Sequence, residues 1–359
     1  MGYFLQAHQA NSPHLTYRVV DSRGPWFLGA SPLHVGFSGL YLAGAMLKLL
    51  AARVSGVPSI AHINITGRGS TVRKVVLASL ARGIGLRYLL HVHDPDYAEE
   101  YRQRGAFMRW MLTGIFRRAQ RVLVLWARDR EPLSKLLQLS QDRITVLHNA
   151  VPDPRPDMTK ARQPGEPCHL LFLGHLSARK GVPELLRALA SPALKSRCWR
   201  ATLAGGGPID EFRRLAIDLG IAQRIEFPGW LDQPQVRALF AEAEVLVLPS
   251  HAEGLAMAVL EGLSHGLAVV TTPVGAHEEV IEPDVSGILV PPGDVEALAD
   301  ALLRVIDNEP LRDRLRAGAR HRFLEEFDVR AYAKRLNDLH SALLTDRQDV
   351  GVIEEEHAL

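Results

Sequence analysis

The chain has only two cysteines among its 359 residues, Cys168 and Cys198. They are too few and too unpatterned for a disulfide framework or a zinc site, so a reduced compartment is expected. Long apolar runs are missing as well. None approaches the ~18–20 residues that span a bilayer, and the best candidate, Gly39 to Val54, is interrupted by Lys48 and Arg53. The opening MGYFLQAHQA lacks the basic start and apolar centre of a signal peptide. Gln6 stands where a myristoylation signal needs Ser or Thr. Low-complexity segments and short-period repeats are also absent. These absences point to a cytoplasmic protein that does not cross the membrane.

What is present is ordinary for a globular chain: 47% hydrophobic and 23% charged residues, at a length sufficient for two cores. The net charge of +2 conceals an asymmetry. Residues 1–160 carry 21 Lys and Arg against 10 Asp and Glu, which leaves 21 against 30 in the remainder. A basic first half suits nucleic acid, an anionic membrane surface or a phosphorylated acceptor; the bland alternative is scattered surface arginine.

Strand and helix patterns alternate along the chain, which predicts parallel, doubly wound sheets. In the first half, strands are expected at Leu15–Val20, Ser59–Ile65, Arg87–Val92, Arg121–Trp126 and Ile144–Leu147. Helices are expected at Gly36–Val54, Thr71–Ala81 and across residues 101–121. Pro152 to Pro167 holds five prolines and little that is apolar, so it reads as a linker. A second alternation runs from His169 to about Val305, followed by one helical pattern over Pro310–Leu344 and a polar, acidic tail expected to be disordered. A doubly wound domain usually opens with a strand and a glycine-rich turn in its first ten residues. Tyr3 to Gln9 instead reads as the end of a helix, so either the start is late and the first strand of the N-terminal domain is missing, which is the favoured expectation, or the N-terminal sheet is rebuilt.

The stretch from Pro249 to Asp294 concentrates the chemistry. Val245–Leu248 is apolar throughout, as a buried parallel strand is. A polar loop follows, Gly254 is expected to open a helix, and Leu267 starts another strand. Glu253 is placed just before the helix, at the carboxyl end of the strand, where open α/β sheets bind ligands. Glu261 follows eight positions on. Free N–H groups at such a turn suit phosphate. Two carboxylates beside a phosphate site make sense if they bind hydroxyls, so a sugar nucleotide is the natural guest.

An ordered series extends this reading: Gly174-His175-Leu176-Ser177-Ala178-Arg179-Lys180-Gly181, Gly205-Gly206-Gly207-Pro208, Phe227-Pro228-Gly229, Pro249-Ser250, Glu253-Gly254, Glu261, Glu279 and Gly287 to Asp294. In order and spacing, across about residues 168–345, it resembles the nucleotide-sugar domain of retaining glycosyltransferases of family 4. The first half resembles them more weakly, through His93-Asp94 and Asn149-Ala150-Val151. The resemblance implies an α/β, GT-B fold of two doubly wound Rossmann-like domains facing a cleft. Residues 1–160 would be the acceptor domain, 161–325 the donor domain, 326–345 a helix returning to the first domain, and 346–359 the tail.

It also implies roles. Lys180 would contact the donor diphosphate, as its charge and place at a helix start independently suggest. His175 stands where the family has Arg, and Arg179 could supply the missing charge. Gly254 and Leu255 would offer N–H groups to phosphate, Glu261 would hold the ribose, and Glu253 the transferred sugar. His93 would face that sugar from the other domain, and Asn149 would be structural. Glu253, His93 and Lys180 are thus the expected catalytic set. Lys180 with a helix N-terminus would stabilise the leaving diphosphate electrostatically, so no metal and no cofactor are expected. Retention, by front-face attack, is likewise implied; whether Glu253 ever acts as a nucleophile stays open.

Weaker patterns compete. His91-Val92-His93-Asp94 lacks the further ligands a metal site requires, and Asp94-Pro95-Asp96 is a commonplace match to the metal-binding motif of the other glycosyltransferase fold. Gly205–Gly207 reads as a tight turn rather than a dinucleotide loop. His251, His265 and His277 match no catalytic position and are expected on loops or helix surfaces. Residues 101–121 interleave Arg102, Arg104, Arg109, Arg117, Arg118 and Arg121 with Phe107, Trp110 and other apolar side chains. They form either a lipid-docking helix or a core helix with a solvated arginine face. The expected partners are a nucleotide-diphosphate sugar, a lipid-linked or other hydroxyl acceptor and an anionic membrane surface, with no nucleic acid. The alternatives are a soluble small-molecule acceptor or a sugar-nucleotide-binding protein without catalysis.

Overall fold

The computed structural model describes residues 15–22, 32–65, 70–94, 97–154 and 165–345. The chain divides into two compact units, Met1–Asn149 with Tyr332–Leu359, and Ala150–Ala331. Most of the proline-rich linker, the start, the 346–359 tail and the Pro95-Asp96 pair lie outside the described residues.

In the first unit, helix α1 (Pro32–Val54) precedes strand β1 (Ile60–Ile65). The alternation continues with α2 (Ser70–Gly83), β2 (Arg87–Val92), α3 (Tyr97–Arg102), α4 (Ala106–Arg118), β3 (Val122–Val124), α5 (Arg130–Leu137) and β4 (Ile144–Val146). The four strands are parallel and lie in chain order. Ile63, Ile65, Leu90, Val92, Val122 and Val124 face one side, where they build a core with Leu112, Ile115 and Phe116 of α4. The other face carries His62, Leu89, His91 and Leu123, as the two-residue side-chain period demands.

Two expectations are corrected here. Leu15–Val20 is irregular rather than a strand, and Tyr17 is tied by its hydroxyl to Asn337 and to His340, at 3.0 Å from His340 Nδ1. Residues 101–121 are not one helix. The chain breaks at Gly105, which sits extended before α4 (φ −61°, ψ 156°). Glycine's low helix propensity makes that the cheap place to break.

The second unit is β5 (Cys168–Leu173), α6 (Val182–Leu189), α7 (Pro192–Lys195), β6 (Trp199–Ala204), α8 (Ile209–Asp218), β7 (Ile225–Gly229), α9 (Gln233–Glu242) and β8 (Val245–Leu248). It continues through α10 (Met257–Ser264), β9 (Ala268–Thr271), α11 (His277–Val280), β10 (Gly287–Leu289), α12 (Val295–Asp307) and α13 (Glu309–Arg322). Its six-stranded parallel sheet runs β10-β9-β8-β5-β6-β7. The chain starts in the middle at β5, works outward to β7, then returns to lay β8 on the opposite side of β5. This is a doubly wound order with its switch point between β5 and β8, and the crevice at their carboxyl ends is where such sheets bind ligands.

The helical pattern over Pro310–Leu344 is also corrected to two helices. A π-turn at Phe323–Phe327, its two phenylalanines fully buried, ends α13, and α14 (Val329–Thr345) starts beyond Asp328. That turn pairs with the entering chain: Val151 N–H donates to Phe327 C=O at 3.0 Å, and Asp153 takes Arg320 at 2.9 Å and Arg330 at 3.0 Å.

One ion pair of the second unit is buried on both sides. Glu244 (4% exposed) faces Arg312 (1%) at 3.3 Å, and Arg312 also donates to the carbonyl of Val305 at 2.8 Å. Arg312→Met strands a buried carboxylate. Urea unfolding is expected to lose about 3–5 kcal/mol, and Glu244→Gln on top of it to restore most of the loss.

Candidate active site

The loops after β5 and β8 meet at the switch point. The first runs from Gly174 through a single turn at Ala178–Lys180 to Gly181, the N-cap of α6. Gly181 has φ +73°, and a Cβ there would fall 2.0 Å from the carbonyl oxygen of Pro249 in the second loop. Only glycine allows both that backbone and that approach. Hydrogen bonds lock the loops further. His251 N–H donates to Arg179 C=O at 2.8 Å, and the Arg179 guanidinium to Ala252 C=O at 3.1 Å.

This contact brings two of the expected residues together. Lys180 Nζ forms an ion pair with Glu253 Oε1, and Ser250 Oγ donates to the same oxygen at 3.0 Å. Both side chains are largely shielded, Lys180 at 14% and Glu253 at 7% exposure. A cation and an anion thus share one end of the sheet, each able to take a separate part of a ligand: the ammonium an anionic group, the carboxylate hydroxyls. His175 and Arg179 are exposed on the β5 loop.

Glu253, Gly254 and Leu255 precede helix α10, which starts at Met257 with Ala256 as N-cap, so Gly254 does not open the helix as expected. Among the described residues no acceptor takes the N–H groups of Gly254 and Leu255. Glu261 lies in the second turn of α10, half-buried, and burial raises its carboxyl above the usual range. The Gly205–Gly207 segment is a structural turn: a Cβ on Gly205 would meet Gly174 C=O at 1.9 Å.

His93 belongs to the first unit. It follows β2 directly, its N–H donating to Ile65 C=O at 2.8 Å. Its Nε2 lies 2.9 Å from Asn64 Oδ1, and its ring packs 4.0 Å from that of His91, centroid to centroid. Burial lowers its pKa to about 4, so it is neutral at pH 7. Among the described residues no group of three metal-ligating side chains occurs.

The sequence reading placed His265 and His277 on surfaces, and both are buried. His265 stacks on Phe240 at 4.7 Å. His277 is fully buried and holds the carboxylate loop: its Nε2 accepts from Ala256 N–H at 3.3 Å, and its Nδ1 lies 3.1 Å from both Thr271 Oγ1 and Thr272 C=O. Acceptance at Nε2 places the proton on Nδ1. Thr272 Oγ donates to Ser250 C=O at 2.6 Å, closing the same loop from below. Periodicity could not find His277. The one available signal is that three polar residues, Thr271, Thr272 and His277, follow an apolar strand within seven positions. His277→Phe leaves the Ala256 N–H buried and unmatched. A loss of about 1–3 kcal/mol in urea unfolding is expected, with faster amide exchange confined to residues 253–257.

With the geometry in view, the similarity to known proteins is specific. Residues 167–308 match the family model "Glycosyl transferases group 1". The chain is 25% identical over 305 residues to alpha-D-kanosaminyltransferase of Streptomyces kanamyceticus, covering 80% of this chain and 78% of that one. It is 27% identical over 277 residues to the putative colanic acid biosynthesis glycosyltransferase WcaL of Salmonella typhimurium, covering 73% and 63%. The fold resembles Anabaena HepE solved with UDP, at TM-score 0.66 and 18% identity over 84% of this chain and 82% of that one. The fold is GT-B, and the chain is a glycosyltransferase whose matched segment is the glycosyl transferases group 1 domain of residues 167–308.

Proposed function

We propose that the chain is a retaining glycosyltransferase of family 4 that moves a sugar from a nucleotide-diphosphate donor to a hydroxyl of a lipid-linked saccharide in extracellular polysaccharide or glycolipid assembly. The observation that carries this reading is the Lys180–Glu253 pair at the switch point of the second sheet. Breaking a sugar–phosphate bond leaves positive charge on the ring and negative charge on the diphosphate. Lys180 is assigned to the diphosphate, with Arg179 and His175 on the same loop and the N–H groups of Gly254 and Leu255 beside Glu253. Glu253 is assigned to the hydroxyls of the transferred sugar, Glu261 to the ribose and His93 to the sugar. Such preorganised charge works without metal and without cofactor. HepE, solved with UDP-glucose, supports a nucleotide-sugar donor.

The lipid-linked acceptor and the cytoplasmic membrane face rest on α4. Its buried side is Leu112, Ile115 and Phe116. Phe107 and Trp110 are 70% and 72% exposed and stack on one another at 6.0 Å. Arg109 lies between them in the chain and donates to the carbonyl of Arg102 at 3.1 Å. An aromatic pair beside arginines suits an anionic interface. No helix of the described residues is long and apolar enough to cross a membrane.

The reading has two tests. With donor panels of UDP-, GDP- and ADP-sugars, Lys180→Ala is expected to cut donor hydrolysis or transfer by about 10²–10³-fold, and Glu253→Ala to abolish it. Donor binding with no turnover against any lipid extract would instead mark a binding protein. The Phe107→Ala/Trp110→Ala pair is expected to lose co-sedimentation with anionic vesicles while leaving donor hydrolysis intact. Equal sedimentation of both proteins removes the membrane arm and leaves a soluble acceptor.

A further inference from the structure

The face of the first sheet that carries His93 holds a continuous row of polar rings, all within one unit. His62 and Asn64 alternate on β1, and His91 and His93 on and just after β2. Helix α14 lays Asn337 and His340 on this face. The row runs from Tyr17 Oη to His340 Nδ1 at 3.0 Å, from His340 Nε2 to His62 Nδ1 at 3.2 Å, and from His62 Nε2 to His91 Nδ1 at 3.2 Å. His91 then packs on His93.

The chemistry orders the protons. Tyr17 has one proton, and it goes to Asn337 Oδ1 at 2.5 Å. His340 must therefore donate through Nδ1, His62 through its own Nδ1, and His91 likewise. Every ring is then neutral, and the row ends at His91 Nε2, fully buried and, among the described residues, without a hydrogen-bonding partner. Burial, together with the like charge of His93, His62 and His340, holds His91 well below the usual imidazole range.

His93 differs from its neighbours, because it is bound from the side. Its Nε2 meets a carbonyl oxygen, Asn64 Oδ1, at 2.9 Å. A carbonyl accepts, so Nε2 carries the proton and Nδ1 keeps its lone pair. The charged groups about it do not change this. Asp94 follows in the chain, and Arg87, at the far end of β2, is spent on the carbonyl of Leu343.

We propose that Asn64 and the row His91–His62–His340–Tyr17 are positioning residues for His93. Asn64 holds the Nε2–H tautomer, so that Nδ1 is the atom offered as acceptor to a sugar hydroxyl, and the uncharged row keeps the imidazole neutral. Through His340, helix α14 becomes part of that support. The sugar-hydroxyl role rests on the function proposed above, whereas the tautomer does not.

The test is long-range ¹⁵N–¹H correlation of the imidazoles in the full chain, with His93 assigned by His93→Gln. The wild type is expected to show Nε2–H at pH 7 and a midpoint near 4. Asn64→Asp places a carboxylate against Nε2, and the midpoint is expected to rise by about one to three pH units. The acid limb of the transfer rate is expected to move up with it. His340→Ala opens the row to water and is expected to move the midpoint toward 6.5, with His340→Gln restoring part of it. An Nδ1–H tautomer in the wild type, or a midpoint that Asn64→Asp leaves in place, overturns the proposal. If the midpoint moves and the rate profile does not, the positioning stands and it is the assignment of His93 to the sugar that fails.

Discussion

The arrangement of the second unit depends on one topological constraint, the reversal of strand order between β5 and β8. Two neighbouring parallel strands whose onward connections leave in opposite directions open a crevice at their carboxyl ends. The loops that border it must lie close, and Gly181 against Pro249 shows how close. Lys180 arrives on one loop and Glu253 on the other, so their ion pair is a product of the sheet order. A second tier supports it. His277, Thr271 and Thr272, all from the end of β9 and its turn, bind the backbone of the Glu253 loop from beneath.

The pair has a clear chemical logic. Lone buried charges are costly, and an ammonium held against a carboxylate with a hydroxyl donor at hand is not lone. The same two groups suit adjoining parts of a sugar nucleotide, one polyanionic and one rich in hydroxyls. The first unit handles polar groups differently. Burial lowers the pKa of both His91 and His93, and for His91 the neighbouring imidazoles add to the effect. A neutral imidazole keeps a lone pair that can accept from a hydroxyl.

Much of the second unit could be read without coordinates. Fully apolar strands such as Val245–Leu248 stand out because both faces of a parallel sheet are covered. Glycine and proline punctuate the loops between them. The approximate placement of Glu253, before its helix rather than on it, also follows from that pattern. The helix start three residues later than expected did not. Ala256 is held by His277 from another loop, which overrides what Gly254 suggests locally. The single helices expected over 101–121 and 310–344 failed for a related reason. Periodicity measures the spacing of apolar residues, and a break at Gly105 or at the π-turn of Phe323–Phe327 leaves that spacing nearly intact.

The sequence by itself determined the α/β class and the short ordered motifs that carry Lys180 and Glu253, because these reside in composition and in local spacing. Only the tertiary structure decided which of those residues meet. The Lys180–Glu253 pair joins positions 73 apart in the chain. The imidazole row joins Tyr17 to His340 across 323. Contacts at such separations are set by strand order and by which face a side chain takes, and a single-residue error in either moves a histidine from core to solvent. That is why the row beneath His93 could not be seen in the sequence at all.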